Sequence, residues 1–398
     1  MIIVMKIVII PSADLLYNSG SVIYAKILFE YLLNEGHDVC MIGACIPNDI
    51  DARYKEKIKV KKNLLSHPIV DDRIIDNMQY FKMGSDILEA LIEINKEWGK
   101  IDIINAHYAS INSYAAVLFG EFVKTSIIVS SFGRDINIGY DSCDLMKKMI
   151  EYSYKKADKI IVPDLMIKKK ILKSFSSINA DKIENCPMPV DEKIYLKGTL
   201  IKCKSDNIII STINSCFKSD KGIDCIILAF SKVVKKFPKC KLFIAGQDDN
   251  EEKNNYLRLK KLIEQLHMEK KVFFTNFLSR INVGRLLDIT DIFIDARING
   301  NFSSVLIEAE FKHKPIIASD NEMSKRIIED GKNGVLFKNG NVNDLEQKIV
   351  KLLVNTKWKE RLIEGTKLWC ANEGKEYEVD ICMKKMIEIF KKIVKQSV

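Results

Sequence analysis

Short runs rich in isoleucine and valine alternate along the chain with longer segments whose apolar positions recur at helical spacing. That alternation is the pattern of parallel strands joined by crossover helices. In the first half, strands are predicted at Lys6–Ile10, Val39–Gly43, Ile101–Asn105, Ile127–Ser131 and Ile160–Val162. Val22, Ile23, Leu28, Phe29, Leu32 and Leu33 form an apolar stripe on a predicted helix, Val22–Glu35. The segment 185–206 holds two prolines followed by polar residues and reads as a domain linker. The alternation then restarts, with predicted strands at Ile208–Ile213, Leu242–Ala245, Val272–Thr275, Ile292–Asp295 and Pro315–Ala318. Helices are predicted at Ile223–Lys236, Leu345–Val354, 357–371 and 377–396, the last with Ile381, Met386, Ile389 and Phe390 on its buried face. The expectation is an α/β protein of two Rossmann-like domains, 1–195 and 206–375, with a closing helix, 376–398, that returns to the first domain. A ligand cleft is expected between the domains, at the carboxyl ends of the strands.

Length and charge narrow this picture. The 398 residues suffice for two ordinary domains. Met1–Ile10 is apolar, but Lys6 interrupts it and no small-residue cleavage site follows, so it reads as a buried strand. No apolar run reaches the roughly 18 residues of a membrane span. The ten cysteines contain no Cys-x-x-Cys pair and read as reduced thiols of a cytoplasmic protein. The net charge of +9 is lopsided. Residues 1–197 hold 26 Lys and Arg against 26 Asp and Glu, which leaves 36 and 27 for the remainder. A basic second half suits a phosphate-bearing ligand, peripheral association with an anionic membrane face, or a lysine-rich solvated surface. Zinc-finger spacing, RNP motifs and basic-aromatic stripes are all missing, so nucleic acid is not an expected partner. His37, His67, His107, His267 and His313 have no metal-binding spacing, and no zinc site is expected.

Three stretches suit phosphate. Gly20 opens the first long helix, where a ligand could approach the backbone and meet a helix N-terminus; a plain strand-to-helix turn fits equally. Lys221-Gly222 stands just before helix 223–236. Ser303 and Ser304 precede a helix containing Glu308, and they fit either a phosphate site or an ordinary cap. Glu308, one turn further in, could grip ribose hydroxyls. His107, at a strand's carboxyl end, fits a ligand site or a hydrogen-bonded structural histidine.

Together these stretches resemble family 4 of the retaining glycosyltransferases, of the GT-B fold. "EYLLNEGHDV", "IDIINAHYAS", "SSFGRDI", "ADKIIVPD" and "PMPVD" are similar to its first domain, with Gly133 and Asp135 matching a Gly-x-Asp loop. "SDKGIDCIILAFSKVVKKFPKCKLFIAGQDD", "GNFSSVLIEAEFKHKPIIASD" and "IIEDGKNGVLF" are similar to its donor domain. The chain departs from the family at four places. Phe132 stands where a histidine is usual, and Cys216 where an arginine is usual. Gly300 replaces the first member of a Glu-x7-Glu pair that ends at Glu308, and Glu322-Met323 replaces a Gly-Gly.

The resemblance implies transfer of a sugar, with retention, from a nucleotide diphosphate sugar to a glycan or lipid-linked acceptor. It implies no metal and no cofactor beyond the donor. It implies Lys221 and Asp135 as catalytic, and Lys221, Gly20, Ser303, Ser304 and Glu308 as donor-binding, with Lys218 near enough in sequence to stand in for the lost arginine as a further donor-binding residue. Phe132, Gly133, Asp135 and His107 fall on the acceptor side. Losing the Arg and the first Glu also fits a second reading, an inactive scaffold that supports a partner glycosyltransferase.

Overall fold

The computed structural model describes residues 4–13, 15–16, 19–61, 79–191, 206–248, 254–298 and 302–396. Most of the predicted linker, and Asn299, Gly300 and Asn301 in the donor loop, lie outside them. The chain divides into two compact units, Met1–Pro189 with Val379–Val398, and Val190–Glu378.

The described residues of the first unit build a seven-stranded parallel sheet. Its strands are β1 (Lys6–Ile10), β2 (Asp38–Gly43), β3 (Ile58–Val60), β4 (Ile103–His107), β5 (Ser126–Ser130), β6 (Lys159–Val162) and β7 (Ile183–Asn185). β1, β4 and β5 read as near-continuous buried runs, as expected when helices cover both faces of a sheet. The order is β3-β2-β1-β4-β5-β6-β7, so the winding direction reverses between β1 and β4. A parallel sheet opens a crevice at the carboxyl ends of its strands where that reversal occurs. The helix Gly20–Asn34 leaves the loop after β1, and the helix Ile111–Val123 leaves the loop after β4.

The helix Val379–Gln396 belongs to this first unit. It buries Cys382, Met383, Met386, Ile387, Ile389, Phe390 and Ile393 at intervals of three and four. Ile381 was expected on that face, but it is 43% exposed. The stripe is set by Cys382 and Met386, and Ile381 lies one position, about 100° of helix turn, away from it.

The described residues of the second unit build a six-stranded parallel sheet: β8 (Ile208–Ile213), β9 (Cys240–Ala245), β10 (Val272–Asn276), β11 (Ile292–Asp295), β12 (Ile316–Ser319) and β13 (Val335–Phe337). The order is β10-β9-β8-β11-β12-β13, with the reversal between the paired strands β8 and β11. The helix Ile223–Lys236 crosses from β8 to β9, burying Ile223, Ile226, Ile227, Phe230 and Val233. Its sharp start is fixed by Gly222, whose φ is +63°. A Cβ there would lie 2.1 Å from the Ala296 carbonyl oxygen, so only glycine lets the β8 and β11 exits come this close.

Candidate functional site

At the reversal point of the first sheet, a network of small polar groups ties the β1 and β4 exits together. Ser12 Oγ donates to Ser21 Oγ (2.7 Å), and Ser21 Oγ donates to the Tyr108 hydroxyl (3.3 Å). The Asn112 amide donates to the Pro11 carbonyl (2.7 Å). Gly20 is the first residue of its helix, with Ser19 as the cap. It does not need positive φ; a Cβ at Gly20 would sit 3.3 Å from Met188 Cε.

His107 is fully buried at the end of β4. The Asn105 amide nitrogen donates to Ser130 Oγ (2.9 Å), so the Asn105 oxygen is the atom 2.8 Å from His107 Nε2. Nε2 therefore carries the ring proton. Burial pushes the imidazole down to about 3, so it stays neutral at any ordinary pH. Phe132 packs edge-on against His107 (5.1 Å between centroids), Tyr24 (5.3 Å) and Tyr108 (6.0 Å). The phenyl ring standing where the family has histidine thus belongs to an aromatic cluster and offers no polar atom.

Asp135 is fully buried, and its oxygens hold two loops together. Oδ1 accepts from the Gly133 and Ile136 amides (both 3.1 Å), and Oδ2 accepts from the Ala109 amide (3.0 Å). The Tyr154 hydroxyl, itself 2.8 Å from Ser131 Oγ, lies 3.4 Å from Oδ2. Burial raises the carboxyl above its usual range, and the hydrogen bonds from Ala109, Ser131, Ile136 and Gly133 oppose that shift. Gly133 provides the turn, with φ +99°. In this geometry Asp135 fixes the shape of the β4 and β5 exits.

The second sheet's reversal point gathers two of the three phosphate candidates, Lys221-Gly222 and Ser303-Ser304, while Gly20 lies on the first unit. Phe217 anchors the β8 exit: its amide donates to the Gln247 carbonyl (2.7 Å), and its ring packs on Phe274 and Tyr256. Lys218, half-buried, precedes a single 3-10 turn, Ser219–Lys221. The Ile298 amide donates to the Asp220 carbonyl (2.8 Å), which laces this turn to the β11 exit. The Lys221 side chain is only 14% exposed. Its ammonium has Asp220 Oδ1 at 3.6 Å, beyond hydrogen-bonding reach. Burial, and next the charge of Arg297, hold Lys221 below the usual lysine range; Asp220, Cys216 and Asp295 act in the opposite direction.

At the β11 exit, Asp295 Oδ2 accepts from Ser303 Oγ (2.6 Å), and Ser303 Oγ accepts from the Leu306 amide (3.4 Å). Ser303 is therefore the helix cap, with its hydroxyl proton committed to Asp295. Ser304 is half-buried in the first turn, and Glu308 is buried one turn further along the helix Ser304–Phe311. Replacing Ser303 by Ala should cost about 1–2 kcal/mol, the worth of a cap. The expected loss is visible as a lower urea midpoint for the second unit.

Cys216, in the family's arginine position, is buried. The basic group that the fold brings near Lys221 comes from β11 instead. Arg297 is 11% exposed on its side chain, and sequence reading did not single it out. No local signal in the sequence marks it, because its nearness to Lys221 depends on the pairing of β11 with β8. Among the described residues, no three His, Cys, Asp or Glu side chains are grouped as metal ligands, and no helix is long and apolar enough to cross a membrane.

Comparison with known proteins agrees with this layout. Residues 202–369 match the model for glycosyl transferases group 1, and residues 15–164 match the glycosyl transferase 4-like model. An uncharacterized glycosyltransferase of Methanocaldococcus jannaschii is 26% identical over 282 residues, which is 70% of this chain and 66% of the relative. The chain thus matches just under two thirds of that relative's length. Among solved structures, the sucrose-phosphate synthase of Thermosynechococcus elongatus aligns over 98% of this chain and 99% of its own, with TM-score 0.80 and 15% identity. An Anabaena protein in complex with UDP and glucose aligns over 97% of this chain and 99% of its own, with TM-score 0.76 and 14% identity. With two parallel sheets that each reverse at their centre, the chain has the GT-B fold, its first part similar to the glycosyl transferase 4-like family and its second to glycosyl transferases group 1.

Proposed function

We propose that this protein transfers a sugar from a nucleoside diphosphate sugar to a glycan or lipid-linked acceptor, with retention at the anomeric carbon. The observation that carries the reading is Lys221, a largely buried lysine at the β8 exit whose ammonium is paired with Asp220 at 3.6 Å, too long for a hydrogen bond. Asp220 offsets this charge only loosely, which leaves the ammonium able to take a further anion, and such largely buried charges with shifted pKa values cluster at binding and catalytic sites. Its position at the reversal point of the second sheet is where α/β sheets take nucleotides.

In this reading the donor lies on the second unit. Lys221 meets the diphosphate, with Lys218 and the N-terminus of the helix Ser304–Phe311 contributing, and Glu308 meets the ribose. As the bond from the anomeric carbon to the diphosphate oxygen breaks, Lys221 stabilises the leaving charge. The acceptor oxygen bonds to the same face of that carbon, and its proton passes to the leaving diphosphate. The acceptor lies on the first unit, near Gly20, Phe132 and Gly133. Neutral His107 holds the floor of that site, and Asp135 keeps its loops in shape.

A thermal-shift panel of UDP, GDP, ADP, CDP and their glucose conjugates tests this. At about 100 times Kd a ligand that binds only the folded state adds about 2.7 kcal/mol. For a unit of this size that amounts to a rise of about 5 °C or more. At least one nucleotide should produce it, and a flat panel would contradict the donor reading. A nucleotide sugar that binds but is neither hydrolysed nor transferred, together with capture of a partner glycosyltransferase, would favour the scaffold reading.

A further inference from the structure

We infer that Arg297 forms the second half of the anion site with Lys221, taking the place of the arginine that Cys216 displaces, and that the two together receive the diphosphate of the donor. This rests on the donor reading above and specifies which groups carry it.

The backbone places Arg297 for this task. β11 pairs directly with β8, and their exits are laced by the Ile298-to-Asp220 hydrogen bond (2.8 Å) and the close approach of Gly222 to Ala296. Arg297 lies between Ala296 and Ile298, inside that joint. Its main chain is held at both ends: its amide donates to Asp295 Oδ1 (3.2 Å), and its carbonyl accepts from the Asn321 amide (2.9 Å). The guanidinium is oriented by one hydrogen bond, from Nη1 to the Phe302 carbonyl (3.0 Å). Nε is ion-paired with Asp295 Oδ1 at 3.4 Å and makes no hydrogen bond among the described residues. Asp295 is already engaged by Ser303, so the carboxylate beside Arg297 has its other oxygen committed. Among the described residues, the guanidinium makes one hydrogen bond and one ion pair, which leaves further N–H donors for a ligand on a side chain that is largely buried and aligned beforehand. That state favours bidentate recognition of a phosphate. The influence of the Arg297 charge on Lys221 agrees with the two cations sharing one field. Asp220 and Asp295 each partly offset one of the two cations, and an anion bound between them would offset both further.

Lys218, the sequence-level candidate to replace the lost arginine, differs in kind. It is the residue before the 3-10 turn, whereas the contacts that hold the β11 exit are made by Asp220 and Gly222. The exchange of one arginine for another from a neighbouring strand keeps the fork geometry that a lysine cannot supply.

The test uses the full chain and whichever nucleoside diphosphate of the UDP, GDP, ADP and CDP panel binds best, with the matching nucleoside as a phosphate-free probe. Arg297→Gln keeps a donor for the Phe302 carbonyl and removes the charge. It should weaken diphosphate binding about 10- to 100-fold, the range for a charge-assisted hydrogen bond, and leave nucleoside binding unchanged. Arg297→Lys should recover part of the loss. A variant that binds the diphosphate as tightly as the parent, while Lys221→Ala does not, overturns the role of Arg297 and leaves the donor reading standing. Equal losses for diphosphate and nucleoside also overturn it, since they mark a disturbed fold. Failure of the unaltered protein to bind any diphosphate would refute both.

Discussion

Asp135→Ala should lower the stability of the first unit by about 3–5 kcal/mol, the largest loss expected from any single side chain discussed above. The substitution removes the acceptor for three buried amides, those of Ala109, Gly133 and Ile136. Each orphaned buried donor costs about 1–3 kcal/mol, and part of the total is recovered because burial already disfavours the ionised carboxylate. The damage should be local to the β4 and β5 exits. Hydrogen exchange should accelerate in peptides spanning 103–137 and stay unchanged in peptides spanning 208–245. Asp135→Asn should fall in between, because its amide nitrogen would face one of those N–H groups with a donor. Unchanged exchange in the 103–137 peptides would show that the carboxylate is not the clamp of these loops.

Lys221→Ala should have the opposite profile, costing binding and turnover while sparing the fold. Loss of one charge-assisted contact weakens nucleoside diphosphate affinity by about 1–3 kcal/mol, which calorimetry reads directly. Transfer should suffer at least as much, because the leaving diphosphate gathers charge as the bond breaks. The sign of the stability effect follows from the lowered pKa. A lysine held below its unfolded value of 10.5 binds its proton more weakly in the folded state than in the unfolded one. At neutral pH the charged form therefore opposes folding, and stability rises as pH climbs from the lowered value toward 10.5. Removing Lys221 should leave the melting temperature at neutral pH unchanged or raised. For the same reason diphosphate affinity of the unaltered protein should begin to fall at a pH below 10.5. A variant that melts lower and binds as before would remove Lys221 from the site.

These two residues show where sequence reading succeeds and where it stops. Lys221 and Gly222 were visible because they adjoin a strongly patterned strand and helix, and Ile208–Ile213 and Ile223–Lys236 appear with the predicted bounds. Lys6–Ile10 and Ile292–Asp295 do so as well. Strand β4 runs two residues later than predicted, through His107. Asp102 instead accepts the Lys6 amide (2.8 Å) at the entrance to the strand. The three-residue strands Ile58–Val60, Ile183–Asn185 and Val335–Phe337 are sheet edges, too short to carry a pattern of their own. Asp135 was legible as a loop residue through resemblance, but its two-loop clamp depends on tertiary distances. Arg297 was hidden for a related reason. Nothing local distinguishes it, and its proximity to Lys221 follows from the β8–β11 pairing, which no short stretch of sequence contains.

The central claim is that a nucleoside diphosphate binds the second unit where β8 and β11 end. Hydrogen–deuterium exchange, with and without the best-binding diphosphate, tests it most directly. The account predicts slowed exchange in peptides covering 214–226 and 295–311, with the outer strands of the second sheet unchanged. Protection confined to other segments, or none under saturating nucleotide, would contradict it.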